Sequence, residues 1–454
     1  MNYRLKLALG CMLTATVSAP SYAVNLLEVY ERALQADPVI RQADANRLAT
    51  YEGKPQAVAA LLPQLNAAAS YTKTQTDGTQ PPTFSTPTSI GFSSDATGKS
   101  YRITLSQSLF HWDQWVALKR ADAQVAQAEA VYMAAEQDLI VRVMQRYFSV
   151  LSAQDNVDNT QAAAEAFARQ LEQAEKRFEV GLIAITDVQE ARAQRDRSTA
   201  DVIDAKRVLA TNIELLREIT GEEFRTLAAP GDDMPLKSPD PASEDKWVSA
   251  ALEKNLALIA SRLGADIANE NVRVARAGHL PSLDLTASYS NSQTDTTTTL
   301  DNVGTLPLST SESKPKQIGL SLTFPIYSGG ATQSRVRQQV YLYRAAREGL
   351  EQTTRQTERA VRDNYLGVLS GISRVQALKQ ALDSSKTALQ ATEAGFEVGT
   401  RTTVDVLLSR QNLFAAQTAY SQSRYTYLQS LVLLEQAAGQ LSKDDVEEIN
   451  GWLK

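Results

Sequence analysis

Two hydrophobic periods alternate along this chain and mark out its elements. Between residues 64 and 76, Leu65, Ala67, Ala69 and Tyr71 take every second position. Within 100–110, Tyr101, Ile103 and Leu105 do the same against Arg102, Thr104 and Ser106. The pattern returns in 282–293, where Leu283, Leu285, Ala287 and Tyr289 alternate with Asp284, Thr286, Ser288 and Ser290. It returns again in 316–327, where Ile318, Leu320, Leu322 and Phe324 alternate with Gly319, Ser321 and Thr323. A period of two predicts strands with one oily and one hydroxylic face. Each run is about ten residues, the length of a tilted strand crossing a bilayer. The stretches 76–99 and 293–315, rich in Thr, Ser, Pro, Gly and Asp, read as exposed hairpin loops.

The longer period is helical. From Asp113 to Phe178 there is neither proline nor glycine, and Leu118, Ala121, Val125, Ala128, Tyr132, Ala135 and Leu139 follow the spacing of a coiled-coil seam. A helix over 113–178 would run roughly 100 Å. Its counterpart spans 331–395, and shorter helices are predicted over 183–220 and 401–438. Gly367 and Gly371 form a GxxxG in polar surroundings, which suits close helix packing better than a membrane dimer face.

The two halves are copies. At an offset of 218 residues, Phe178-Glu179-Val180-Gly181 meets Phe396-Glu397-Val398-Gly399, Asp187-Val188 meets Asp405-Val406, and Gly221 meets Gly439. From Arg177 to Arg192, seven of sixteen positions are identical to their counterparts. So long a period indicates internal gene duplication rather than a solenoid. The organisation that follows is a signal peptide over 1–23, a first repeat over 24–221, a linker over 222–242, a second repeat over 243–440 and a tail over 441–454.

The leader places the protein outside the cytoplasm. Arg4 and Lys6 precede the apolar run Leu7 to Val17, and Ser21-Tyr22-Ala23 offers a signal-peptidase site, so the mature chain is expected to start at Val24. Lipoprotein processing at Cys11 is the rival reading, but only about four apolar residues precede that cysteine. Cleavage removes the sole cysteine and moves the formal charge from −6 to −8. Disulfides and thiolate metal sites are thereby excluded, and an acidic, evenly mixed chain does not fit nucleic acid. No cofactor is implied. His111 and His279 lack the company that a metal site needs.

Past residue 24 no run of about 18 apolar residues could form a membrane helix. A bilayer would be met through strands, and the aromatics at the strand ends support this. Phe110, Trp112 and Trp115 in one half, and Phe324 and Tyr327 in the other, resemble an interfacial girdle. Four strands cannot close a barrel alone, so several copies must each contribute four, and three copies give twelve. An envelope structural or adhesive coiled-coil protein would explain the helices but not the alternating strands. An outer-membrane enzyme would need a catalytic constellation that the sequence lacks.

The leader, the duplication, the paired hairpins, Gly399-Thr400-Arg401-Thr402-Thr403-Val404-Asp405-Val406-Leu407 and its counterpart over 180–189 resemble the TolC family of outer-membrane efflux proteins. That resemblance covers essentially the whole mature chain. It implies a homotrimeric channel-tunnel without catalytic activity, mainly α with a membrane β part. A long coiled-coil barrel would carry four strands per subunit of a shared twelve-stranded β-barrel, seated in outer-membrane lipid with its helices in the periplasm. The implied partners are a periplasmic adaptor (membrane fusion) protein and an inner-membrane ABC, RND or MFS pump, and the implied cargo is protein or small toxic molecules. By the same resemblance, Arg401 would tie the inner coiled coil to Thr186 and Asp187 in a gate network, and Asp405 would ring the pore constriction. Two positions depart from the pattern: Phe396 stands for a gate tyrosine, and Leu408 for a second acidic ring. The intact mass of the purified protein is expected to correspond to a chain beginning at Val24 without lipid; an acylated Cys11 would overturn the leader reading.

Overall fold

The computed structural model describes residues 23–81, 88–224, 226–231, 234–301 and 303–454. Residues 1–22 of the expected leader lie outside them. The first repeat opens with three short helices, because its sequence carries caps and breakers in close succession. In α1 (Leu26–Ala36) the Asn25 side chain accepts the Glu28 N–H at 2.8 Å. Asp37 then caps α2 (Pro38–Tyr51), with Pro38 in the first turn where its missing N–H costs nothing. After α3 (Gly53–Ala60) come the hairpin β1 (Gln64–Gln80) and β2 (Ile90–Phe110), the 68-residue α4 (Trp112–Glu179) and the returning α5 (Ile185–Thr220).

The second repeat runs α6 (Glu244–Lys254), α7 (Leu256–Ala277) and β3 (Ser282–Leu300), then β4 (Gly304–Thr305), β5 (Ser309–Ser313) and β6 (Lys316–Thr323). It ends with α8 (Ala331–Glu397) and α9 (Thr403–Ala438), and α10 (Lys443–Asn450) closes the chain. The 218-residue offset seen in the sequence holds for both ends of α1 against α6 and of α5 against α9. It holds also for the left-handed glycines that end the hairpin turns and helices: Gly181 and Gly399 at φ 76° and 84°, Gly221 and Gly439 at 73° and 71°.

All strand pairings are antiparallel. The path is β1-β2-β3, and β4, β5 and β6 each pair with β3, so they form one interrupted fourth strand. Pro307 and Pro315 sit in its two gaps, where a residue without an N–H cannot join the ladder.

Several expected boundaries are corrected. Most described residues of 76–99 and 293–315 are strand, not loop: β1 continues to Gln80, β2 starts at Ile90 and β3 reaches Leu300. Backbone pairing needs no apolar side chains, and the Thr- and Ser-rich rungs bond across strands, as in Ser70–Ser100 at 2.8 Å and Thr299–Thr305 at 3.1 Å. The fourth strand ends at Thr323 rather than 327, because Pro325 follows. The tail holds α10, whose start is fixed by Asp445 accepting the Ser442 N–H at 2.8 Å.

The core is a belt around the middle of the long helices. Leu139 to Leu151 of α4, Val361 to Val375 of α8 and Tyr425 to Ala438 of α9 meet α1, α6 and α10 there. Tyr147, fully buried, donates its hydroxyl to the Ala228 carbonyl at 2.7 Å, and the buried Asp37 pairs with Arg142 at 2.7 Å. α8 packs closely on α9 at Gly371, where even an added Cβ would make ordinary van der Waals contact, 3.6 Å, with the Tyr427 backbone and ring. A smaller cluster, Leu171, Ala174, Val188 and Ala191, binds α4 to α5 near their turn.

Glu435 lies in the belt, where burial, with Asp445 and Glu448 near, pushes its carboxyl up to about 7. The folded chain thus holds a proton that the unfolded chain releases near 4.5. Stability should therefore fall as pH rises between those values. Glu435→Gln is expected to gain on the wild type by roughly 1–2 kcal/mol across that window, allowing for partial screening. Thermal melts at pH 5 and pH 8 measure this.

Candidate functional site: the sheet and the helical entrance

One face of the sheet is apolar and open. Leu65, Tyr71, Ile318 and Leu320 are all exposed, with Ile318 at 81%. Among the described residues β1 pairs with β2 alone and the interrupted strand with β3 alone, so each outer edge presents free N–H and C=O groups. No helix among the described residues is long and apolar enough to cross a membrane.

The expected boundary aromatics gather where strands give way to helices. Phe110 is in register with Leu283 on the last rung of β2 and β3. Trp112 and Trp115 occupy the first turn of α4, each about half exposed, and Tyr327 is 87% exposed. Gly329 and Gly330, at φ 63° and 81°, turn the chain from strand into α8. His111 bridges the two repeats, with Nε2 3.1 Å from the Asp284 carboxylate and Nδ1 3.5 Å from that of Asp113. It is a structural link, and among the described residues no cluster could hold a metal ion.

At the far end of the long helices, Asp187 and Asp405 hold equivalent places in the first turns of α5 and α9. The Asp405 carboxylate accepts both the Thr402 N–H and the Thr402 hydroxyl at 2.9 Å. Those bonds, and then the nearby Arg401 charge, hold its carboxyl below the usual range. Among the described residues Asp187 accepts only the Ala184 N–H, at 3.3 Å, since alanine offers no hydroxyl. Thr186 is exposed beside it. The Arg401 side chain lies over Gly395, and the Arg401 backbone N–H donates to the Gly395 carbonyl at 3.2 Å. Among the described residues no hydrogen bond or ion pair joins Arg401 to Thr186 or Asp187 within one chain.

Four contacts here escaped the sequence reading. Arg192 pairs with Glu175 at 2.9 Å, and the equivalent Arg410 pairs with Glu393 at 2.7 Å, so each hairpin is tied by the same ion pair. Following the repeat offset outward to the glutamates would have found both. Arg410 also donates to the Ala166 carbonyl at 3.3 Å, crossing to the other repeat. Phe396 takes the Arg177 guanidinium over its ring at 4.5 Å, a second tie between repeats.

A coiled-coil body carrying an amphipathic four-stranded share of a β-barrel defines an outer-membrane channel subunit. The family model for outer membrane efflux proteins matches residues 29–222 and 247–440, once per repeat. The chain is 39% identical over 439 residues to outer membrane protein TolC of Vibrio cholerae, covering 97% of this chain and 96% of the relative. It is 28% identical to the alkaline protease secretion protein AprF of Pseudomonas aeruginosa, over 94% of this chain and 87% of that one. The crystal structure of the Campylobacter jejuni CmeC outer membrane channel superposes with a TM-score of 0.73 at 19% identity, covering 100% of this chain and 98% of that one. The chain belongs to the outer membrane efflux protein family. It is a channel of the outer membrane, serving efflux and secretion, with a helical tunnel in the periplasm.

The duplicated ion pairs should rigidify the entrance. Glu175→Gln together with Glu393→Gln is expected to leave the protein folded while speeding protease cleavage near residues 180 and 399 several-fold. Limited proteolysis of the purified protein is the check.

Proposed function

We propose that three copies close one barrel, β1 of each pairing with the interrupted fourth strand of the next. The open edges carry this reading. An unsatisfied backbone group in hydrocarbon costs several kcal/mol, so a sheet with two free edges is tenable in lipid only when neighbours supply the partners. Exposed apolar residues on the flanking helices favour the same seams: Leu48 and Tyr51 of α2 on one side, Tyr341 and Leu342 of α8 on the other. These two surfaces differ, so the contact is head-to-tail and closes into a ring.

In this assembly the oily strand faces meet outer-membrane lipid, with Phe110, Trp112, Trp115 and Tyr327 at its periplasmic boundary. The hydroxylic faces line a water-filled lumen, and the hairpins α4–α5 and α8–α9 converge on an entrance. Arg401 reaches Thr186 and Asp187 of a neighbouring hairpin and latches it shut. Asp405 faces the axis, one carboxylate oxygen engaged by Thr402 and the other without a hydrogen bond among the described residues. Three such carboxylates raise one another's pKa, and the Thr402 bonds oppose that rise and keep them ionised. Cargo passes without a bond being made or broken, so the chain acts as a conduit and not as an enzyme. A periplasmic adaptor and an inner-membrane pump of the ABC, RND or MFS type would deliver the cargo. The relative named for alkaline protease secretion supports polypeptide cargo beside small molecules.

Native mass spectrometry in detergent is expected to give a trimer; a monomer that still inserts and conducts would overturn the assembly. In planar bilayers, Arg401→Ser and Asp187→Ala are each expected to raise single-channel conductance several-fold. Trivalent cations added from the periplasmic side should block the wild type. Asp405→Ala should abolish that block without dissociating the trimer, and equal block in both would place the constriction elsewhere.

A further inference from the structure

Directly beneath the sheet, the start of α4 and the end of α7 enclose a cleft of about 550 Å³. Its wall is apolar where Trp112, Trp115, Val116 and Leu280 meet, and its rim is charged. The charges are not balanced. On that rim Asp122 is paired with Lys54 of α3 at 2.8 Å, and Glu270 with Arg273 at 2.8 Å. Lys119 and Arg276, which also line the cleft, make no ion pair among the described residues. Two cations therefore stand over an apolar slot whose floor includes two half-exposed indoles.

Its position is equally specific. Trp112 lies two residues past the end of β2, and Leu280 two residues before β3 begins. These are the central strands of the subunit, so the cleft lies away from β1 and β6, where neighbouring copies would attach. On the last rung above it, Phe110 and Leu283 face the apolar side of the sheet. His111 and Asp284 bond on the other side. Indoles prefer the lipid–water boundary, and basic residues in such clefts attract lipid phosphates.

We propose that this cleft binds the headgroup and upper acyl chain of one anionic glycerophospholipid per subunit, in the periplasmic leaflet of the outer membrane. Lys119 and Arg276 hold the phosphate, and Trp112 and Trp115 lie along the glycerol and the first methylenes. The proposal rests on the reading that these aromatics mark the membrane boundary.

The test uses the full-length assembly in bilayers of phosphatidylcholine doped with a second lipid, brominated near the top of its acyl chains, reading tryptophan fluorescence. Trp247 is buried in the belt and supplies an unquenched background. Brominated phosphatidylglycerol is expected to quench at roughly tenfold lower mole fraction than brominated phosphatidylcholine. Lys119→Gln with Arg276→Gln should erase that preference while the oligomer and its conductance persist. Trp112→Phe with Trp115→Phe should remove the quenching itself. Equal quenching by both lipids in the wild type would leave the boundary reading intact and overturn the lipid site. No quenching by either would overturn the boundary reading, and the site with it. Loss of the preference in millimolar inorganic phosphate would show a free-anion site and overturn the lipid proposal; its persistence supports the lipid.

Discussion

The edge of a β-sheet cannot be left bare in hydrocarbon, and the rest of this molecule is arranged around that constraint. Each rung at the outer sides of β1 and β6 presents groups that water would satisfy and lipid cannot. Within the apolar band, Lys316–Thr323 contains no proline, so β6 can pair along its whole length. The prolines that interrupt the fourth strand, Pro307 and Pro315, fall among the polar rungs beyond that band, where water can serve the orphaned carbonyls. Strand chemistry thus changes where the solvent changes. The long helices follow from the same requirement, since four strands per chain place four helical stems under each third of a barrel.

The helical body concentrates its stability rather than spreading it. The belt combines a large apolar core with buried polar ties such as Tyr147 to Ala228 and Asp37 to Arg142. Toward the turns of the long helices the clustered apolar core shrinks to Leu171, Ala174, Val188 and Ala191, with a pair of partly exposed ion pairs beside it. Regions with little buried apolar area open at low free-energy cost. The end proposed as the entrance is therefore the weakly packed end of elements held rigid at their middle.

Much of this fold was legible in the sequence because its signals are periodic. Alternation located all four strands, and the glycine-free run located α4 to within a residue at each end. The duplication gave the organisation, since the same offset recurs in the elements themselves. What escaped was structure that needs no hydrophobic period. The polar halves of the hairpins carry Thr and Ser on both faces, and a loop has the same composition as a strand there. The division of the first helical segment into three was written in Asp37-Pro38 and Gly53, local breakers that a search for long helices passes over. At the entrance, Arg401, Thr186, Asp187 and Asp405 were singled out by resemblance. Of the ties that the single chain forms, Glu175 to Arg192 lay within reach of the repeat offset, whereas Arg177 to Phe396 depends on a distance between repeats that no linear pattern carries.

The duplication also has a mechanical meaning. Three copies of a doubled chain put six hairpins around the axis, alike in backbone but of two alternating kinds. At the start of the returning helix, one kind has Thr402 and a carboxylate held by two bonds; the other has Ala184 and a carboxylate held by one. In the proposed assembly these would be two sorts of blade, and the less firmly capped three would have more freedom to shift at their tips. Fused copies that have drifted apart in sequence can divide labour in this way, three blades serving as frame and three as shutter. Six identical blades from an unduplicated gene would be bound to move alike.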